Sequence, residues 1–373
     1  MKIGITCYPT YGGSGVVATE LGKQLAEMGN EVHFISYALP YRLNSFSSQL
    51  YFHEVEVLQY PLFEYPPYSL SLASKMAEII EFQKLDIMHV HYAIPHATSA
   101  YLAKQMLEHI ELKFVTTLHG TDITLLGSDP SFFKITKFSI EESTGVTAVS
   151  QFLRKKTIEV FNSDKPIEVI PNFVPFDMDQ IKPDKNIRGC FAEEDERILI
   201  HISNFRPLKR VTDIVPILKG LEKKFKIKML MVGDGPDRYK AEEQCRKENL
   251  CDRVLFLGKQ DNISELLSIS DVAIIPSESE SFGLVALEAM ACGTPCVSTN
   301  AGGLPEVNQH GDTGFTVNVG DIDGFVQSIT EILSDKQLAK KMGQKGIELA
   351  TSVFSSDIII PKYLNYYEKI LSE

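Results

Sequence analysis

Short runs of apolar, often β-branched residues alternate along this chain with longer stretches whose apolar positions recur every three to four residues. In the N-terminal half this pattern predicts strands over Lys2–Tyr8, Glu31–Ser36, Tyr51–Leu58, Asp86–Tyr92, Lys113–Leu118, Val146–Val149 and Ile167–Ile170. Helices are predicted over about Gly15–Met28, Leu70–Phe82 and His96–Leu107. Runs such as Ile3–Ile5 and Ile87–Val90 are apolar on both faces, which a strand tolerates when helices cover both sides of a parallel sheet. A polar, proline-bearing stretch, Pro171–Pro183, and the acidic run Glu193–Glu196 interrupt the pattern and read as a linker. The alternation then restarts, with strands over Arg197–Ile202, Lys228–Val232, Val254–Leu257, Val272–Pro276, Pro295–Ser298 and Gly314–Val317. Helices over about Thr212–Lys224, Ala241–Asn249, Ile263–Ser268, Leu284–Ala291, Gly324–Leu333 and Lys336–Ala350 accompany them. A last helix is expected over Pro361–Leu371, with Pro361 as its first helical residue. The reading is an α/β chain of two doubly wound, Rossmann-like parallel-sheet domains, residues 1–175 and 176–355, followed by a helical segment, 356–373.

A length of 373 residues suits two such domains, and no apolar run approaches the span of a membrane helix. The formal net charge of −12 disfavours nucleic-acid partners and docking on anionic lipid. Met1–Pro9 enters a strand pattern directly, without the regions of a signal peptide. The six cysteines form no C-x-x-C pair and no zinc spacing. A soluble cytoplasmic protein with reduced thiols is expected.

Ligands of doubly wound domains bind beyond the carboxyl ends of the strands, so the strand-to-helix turns hold the candidate chemistry. The first turn carries Gly12-Gly13-Ser14-Gly15, where backbone can approach a ligand closely and helix amides favour an anion. Gly13, Gly15 and Ala18 also fit a dinucleotide fingerprint, yet the second strand ends Phe34–Ala38 without the acid that binds an NAD ribose. An oxidoreductase is therefore the weaker reading. Arg206, Lys209 and Arg210 follow the first strand of the second half and could neutralise a diphosphate without metal, a solvated basic loop being the alternative. The turn Val232–Pro236, with Gly233, offers flexible backbone after the next strand.

Further on, Glu280-Ser281-Phe282-Gly283 opens a helix whose amides can meet phosphate oxygens, with Glu288 in its second turn at a reach suited to paired hydroxyls. His89, His91 and His96 superficially suggest a metal cluster, but histidines closing a strand fit hydrogen bonding better. His119-Gly-Thr-Asp122 closes another strand and is the better candidate for polar work in a site.

In order and spacing, Lys209, Gly233–Pro236, Glu280 and Glu288 with seven residues between them, and Gly302–Glu306 resemble the retaining GT-B glycosyltransferases of family 4. The likeness spans nearly the whole chain. It implies a GT-B fold, with two domains facing a central cleft and residues 356–373 packing back on the N-terminal domain. Within that family Cys7–Gly22, His89–His96, Thr116–Ile123 and Leu257–Asn262 resemble one branch closely, and this closer resemblance implies transfer of N-acetylglucosamine from UDP-GlcNAc to the hydroxyl of L-malate with retention, a first step toward bacillithiol. By position, Glu288 would hold the ribose hydroxyls, and Glu280 the donor sugar. Ser281, Phe282 and Gly283 would offer amides to the diphosphate or sugar, and Lys209 would balance the diphosphate. His119 would bind the sugar's outer hydroxyls. Gly258, Lys259 and Gln260 would line the uracil, while Gly13, Ser14 and Gly233 would touch the donor. Many members open the cationic loop with Gly-Arg; here Ser203-Asn204 stand there, and the arginine comes two residues later as Arg206.

No carboxylate is placed as a covalent nucleophile, which favours same-face displacement assisted by a donor phosphate oxygen. No metal or other cofactor is expected. A sugar-nucleotide binder without catalysis is the other alternative, and a homodimer stays open. For the acceptor, Arg42 and Arg154 are the only arginines of residues 1–175 and could grip a carboxylate. Ser14 in the glycine turn, Tyr92 and Thr121 would complete that site.

Overall fold

The computed structural model describes the chain apart from residues 45–46, 59, 128, 175–180 and 182. Most of the expected linker, 175–180 and 182, thus lies outside the described residues. Contacts divide the chain into two units, residues 1–175 with 356–373, and residues 176–355.

In the first unit β1 (Lys2–Thr6), β2 (Glu31–Ser36), β3 (Leu50–Glu54), β4 (Ile87–His91), β5 (Phe114–Leu118), β6 (Gly145–Ala148) and β7 (Ile167–Val169) form a sheet ordered β3-β2-β1-β4-β5-β6-β7. All its pairs are parallel. The fully buried β4, β5 and β6 explain the continuous apolar runs: helices cover both faces. Leu72, Met76 and Ile80 of the helix Tyr68–Gln83 and Ala100 and Ala103 of Thr98–Met106 fill one layer against Met88, Val90 and Phe114. In the second unit β8 (Arg197–Ile202), β9 (Ile227–Val232), β10 (Val254–Gly258), β11 (Val272–Ile275), β12 (Cys296–Thr299) and β13 (Gly314–Val317) are ordered β10-β9-β8-β11-β12-β13, again all parallel. Each order reverses once, between β1 and β4 and between β8 and β11, the points at which a doubly wound sheet opens a crevice at its carboxyl edge.

Some boundaries differ from expectation. The third strand stops at Glu54 rather than Leu58, since beyond Val55, whose amide still donates to Ser36, the chain leaves the sheet edge. The helix Pro130–Glu142 was not anticipated, although Asp129 caps it by accepting from the Ser131 amide and Pro130 opens it. The last helix runs Ser356–Ser372 with Pro361 inside it, not at its start. A proline near the helix start forfeits one backbone bond, and complete burial of Ile359, Ile360 and Tyr363 on the same turns outweighs that loss. This helix belongs to the first unit, where the Tyr366 hydroxyl accepts from the Val146 amide (2.9 Å).

All six cysteines are free; Cys190 and Cys251 are exposed and the other four buried. Among the described residues no helix is long and apolar enough to cross a membrane.

Candidate functional site

In the second unit the loops after β8 and β11 meet at the reversal of strand order. His201, at the end of β8, donates from Nδ1 to the Ile274 carbonyl and accepts the Ser203 hydroxyl at Nε2 (2.8 Å). Burial pushes its pKa down to about 4, so it is uncharged at neutral pH. Ser203 in turn accepts from the Phe205 amide. The residues standing in place of the family's Gly-Arg therefore build a tight turn, leading through Arg206 into the single turn Pro207–Lys209. The Leu208 carbonyl accepts from the Glu278 amide (2.8 Å), which ties this cationic turn to the acidic loop after β11.

Lys209 and Glu280 then form an ion pair, and Ser277 Oγ donates to the same carboxylate oxygen at 3.0 Å. Sequence reasoning assigned these two residues separate tasks and missed that they hold each other. Arg206 is exposed and has no ion-pair partner among the described residues, so its guanidinium is available to an anion. Arg210 is occupied by Asp213 (2.7 Å).

Gly302 explains how Glu280 is placed. Its φ of +62° and an added Cβ only 1.9 Å from the Glu280 carbonyl leave room for glycine alone, and Gly303 donates its amide to that carbonyl at 2.9 Å. Gly283, at φ +100°, caps the helix Leu284–Ala291 and packs on Leu304. Phe282 is buried with its ring 5.7 Å from Phe354, so only its backbone can serve a ligand. Glu288, in the second turn of that helix, is nine-tenths buried or more. Gly233 lies against Ser203 and donates its amide to Gly258, whose own Cβ position faces open space. Lys259 is exposed, and Gln260 folds back onto the Leu257 carbonyl (2.7 Å).

The first unit gathers a polar, aromatic cluster at its own reversal point. Gly12 caps the helix Gly13–Glu27, and Tyr92 donates its hydroxyl to Ser14 Oγ at 2.7 Å. Tyr92 sits at φ +86°, a strained conformation for a non-glycine residue and a mark of functional positions. The Tyr8 and His119 rings flank it at 5.3 and 5.0 Å. The Arg42 guanidinium lies over Tyr41, whose ring meets Tyr11, just before the glycine turn, at 4.9 Å. Thr121 opens the one-turn helix Thr121–Thr124. Arg154 is exposed and lines a groove of about 290 Å³ with Gln151, Glu168, Tyr366 and Lys369. The structure thus brings Ser14, Tyr92 and His119 together, sets Arg42 on Tyr41 next to Tyr11, and puts Arg154 beside β7, four strands beyond β1 in the sheet.

The hydrogen bonding expected of the strand-closing histidines is present, while the way Asp122 ties two turns together was not read from the sequence. Asp122, 1% exposed, accepts from the amides of Ala93 (3.0 Å) and Gly120 (2.9 Å), clamping the turns after β4 and β5 together; burial raises its pKa to about 6. The histidines form a hydrogen-bond network: His89 with Thr117 and Tyr367 (both 2.6 Å), His91 with His119 (2.8 Å), and His96 donating to the His91 carbonyl. Burial drives His89 and His119 to about 3 and His96 to about 4, and all are uncharged at neutral pH. Among the described residues no group of His, Cys, Asp or Glu is arranged to hold a metal ion.

Residues 184–349 match the family described as Glycosyl transferases group 1, and residues 11–177 match Glycosyltransferase Family 4. The chain is 52% identical to N-acetyl-alpha-D-glucosaminyl L-malate synthase of Bacillus anthracis, over 100% of this chain and 98% of that one. Among solved structures, sucrose-phosphate synthase of Thermosynechococcus elongatus superposes with a TM-score of 0.82 at 22% identity, covering 100% and 99% of the two chains. Anabaena Alr3699/HepE in complex with UDP and glucose gives 0.83 at 20% identity, covering 99% and 100%. The likeness to these structures carries the fold, which is GT-B.

Proposed function

Because the chain belongs to the family 4 glycosyltransferases, we propose that it transfers N-acetylglucosamine from UDP-GlcNAc to the hydroxyl of L-malate, with retention at the anomeric carbon. The observation that carries this choice of substrates is the end-to-end likeness to the Bacillus anthracis synthase.

The second unit takes the donor. Glu288 accepts from the ribose hydroxyls, the backbone of Gly258, Lys259 and Gln260 lies along the uracil, and Gly233 touches the donor through its backbone. The diphosphate meets the amides of Ser281, Phe282 and Gly283 at a helix start, where the positive end of the peptide dipoles favours it. Lys209 and Arg206 add the charge that stabilises the departing UDP, in place of a metal ion. Glu280 orients both Lys209 and the sugar, and His119 bonds the sugar's outer hydroxyls.

The first unit takes the acceptor. Arg42 holds one malate carboxylate, the amides at Gly12–Gly15 receive the other, and Tyr92, Thr121 and Ser14 orient the hydroxyl. With no carboxylate serving as nucleophile, a donor phosphate oxygen accepts the malate proton while attack proceeds from the leaving-group face. The reaction belongs in the cytoplasm, where both small molecules are available.

Incubation with UDP-GlcNAc and each of several hydroxy acids tests this. The expected result is a product of the mass of N-acetylglucosaminyl malate, α-configured by NMR, with UDP released only when malate is present. UDP release independent of any hydroxy acid, or equal use of lactate, overturns the acceptor assignment.

A further inference from the structure

His119 is nearly buried at 8% exposure, and His91, His89 and His96 beneath it are wholly so. His91 Nδ1 lies 2.8 Å from His119 Nε2, and one proton must sit between these two nitrogens. Which ring carries it is settled by the other side of His91. Its Nε2 is buried and has no hydrogen-bond partner among the described residues. The neighbouring rings supply none: His89, its ring tilted at 4.4 Å, has both nitrogens engaged by Thr117 and Tyr367, and His96 spends its Nδ1 proton on the His91 carbonyl.

If His119 donated from Nε2, the single proton of neutral His91 would be forced onto its Nε2 as a buried, orphaned N–H, the rarest kind of unsatisfied group in proteins. If His91 donates from Nδ1, its Nε2 keeps only an unused lone pair. Charge offers no third arrangement, since burial holds both rings neutral.

We propose that His91 is a positioning residue, acting through His119: it donates its Nδ1 proton to His119 Nε2 and so fixes His119 as the tautomer protonated at Nδ1. His119 then serves as a hydrogen-bond donor, not as a base, toward whatever oxygen it meets. On the reading proposed above, that oxygen is a hydroxyl of the donor sugar, and the inference about His119's role rests on that reading. The tautomer itself does not.

Long-range ¹H–¹⁵N correlation spectra of the ligand-free chain, labelled at histidine nitrogen and assigned with His119→Gln, read the protonation site directly. The expected result is a protonated Nδ1 and a bare Nε2 in His119. His91→Leu removes the donor and should move His119 toward Nε2 protonation, with kcat/KM for the sugar nucleotide falling about tenfold, the worth of one hydrogen bond. His91→Asn, whose amide nitrogen falls near the Nδ1 position, should restore both. A wild-type His119 protonated at Nε2, or an unchanged tautomer in His91→Leu, overturns the proposal. The wild-type spectrum decides even where His91→Leu does not fold. A chain that shows the expected tautomer yet transfers no sugar leaves this assignment standing and sinks the reading of function alone.

Discussion

Lys209 and Glu280, 71 residues apart in the chain, neutralise each other at the reversal point of the second sheet, with side chains 18% and 17% exposed. A lysine held this way is aimed before any diphosphate arrives, and its charge is partly spent. As UDP departs, the diphosphate gains charge and competes for the ammonium, so the contact strengthens along the reaction.

Lys209→Ala should therefore lower kcat/KM several hundred-fold, about 3–4 kcal/mol of transition-state stabilisation, while UDP affinity falls much less. Steady-state kinetics beside calorimetric titration with UDP checks this. Near-normal turnover would return Lys209 to the role of a solvated loop residue.

Glu280→Gln should dissociate the two functions of the pair. UDP binds at least as tightly, because Lys209 is no longer shared, and kcat drops because the sugar and the lysine lose their common orienting group. A parallel loss of UDP affinity would show that Glu280 serves the nucleotide instead.

For the acceptor, Tyr92→Phe removes the hydroxyl bonded to Ser14 and should raise the malate KM about five- to tenfold without changing that for UDP-GlcNAc. Arg42→Ala should raise it further, by at least about tenfold, since the lost contact is charged on both sides. Arg154→Ala, at the groove beside β7, should do less. If the arginine variants rank the other way, malate lies toward β7.

Turnover should survive dialysis against EDTA, because Lys209, Arg206 and the amides of Ser281–Gly283 supply the positive charge. Activity lost to the chelator and restored by Mn²⁺ would contradict that assignment.

Stability should fall on acidification. His89 and His119, at about 3, and His96 and His201, at about 4, have pKa values far below the ordinary 6.5, so unfolding takes up protons at each. Their contribution is complete above pH 6.5 and is lost as pH drops toward 4. Asp122 opposes them: raised to about 6 from 3.8, it contributes stability that is full below about 3.8 and disappears as pH rises through 6. Four groups outweigh one, and urea midpoints should decrease steadily between pH 7 and pH 4. Asp122→Asn should make that decrease steeper; an unchanged slope would mean Asp122 titrates normally.

The parallel strands and the helix start at Ser281–Gly283 were legible in the sequence, because each is written in a local run: apolar residues for buried strands, Ser281–Gly283 for the loop. What was not legible depends on chain segments meeting at a distance. The Lys209–Glu280 pair joins two turns that only the β8–β11 pairing brings together. Asp122 does its work on backbone amides, which any sequence possesses. Pro361 carried a correct local preference, overridden by the burial of its helical neighbours. Arg42 was already the firmer choice from sequence, because it directly follows the second strand whereas Arg154 lies in a cationic Arg-Lys-Lys helix face, and the strand order adds the distance between them.

The helix Ser356–Ser372 has a consequence for how this chain is made. It places Tyr363 and Tyr367 in the interior of a unit whose strands were all synthesised by residue 169. Residues 176–355 are therefore an insertion between a unit and its own last element. On the ribosome the insertion can complete its sheet first, whereas the unit begun earliest keeps His89 without its tyrosine partner until the final residues emerge. Removing the helix Ser356–Ser372 would strip the first unit of the tyrosines that fill its interior.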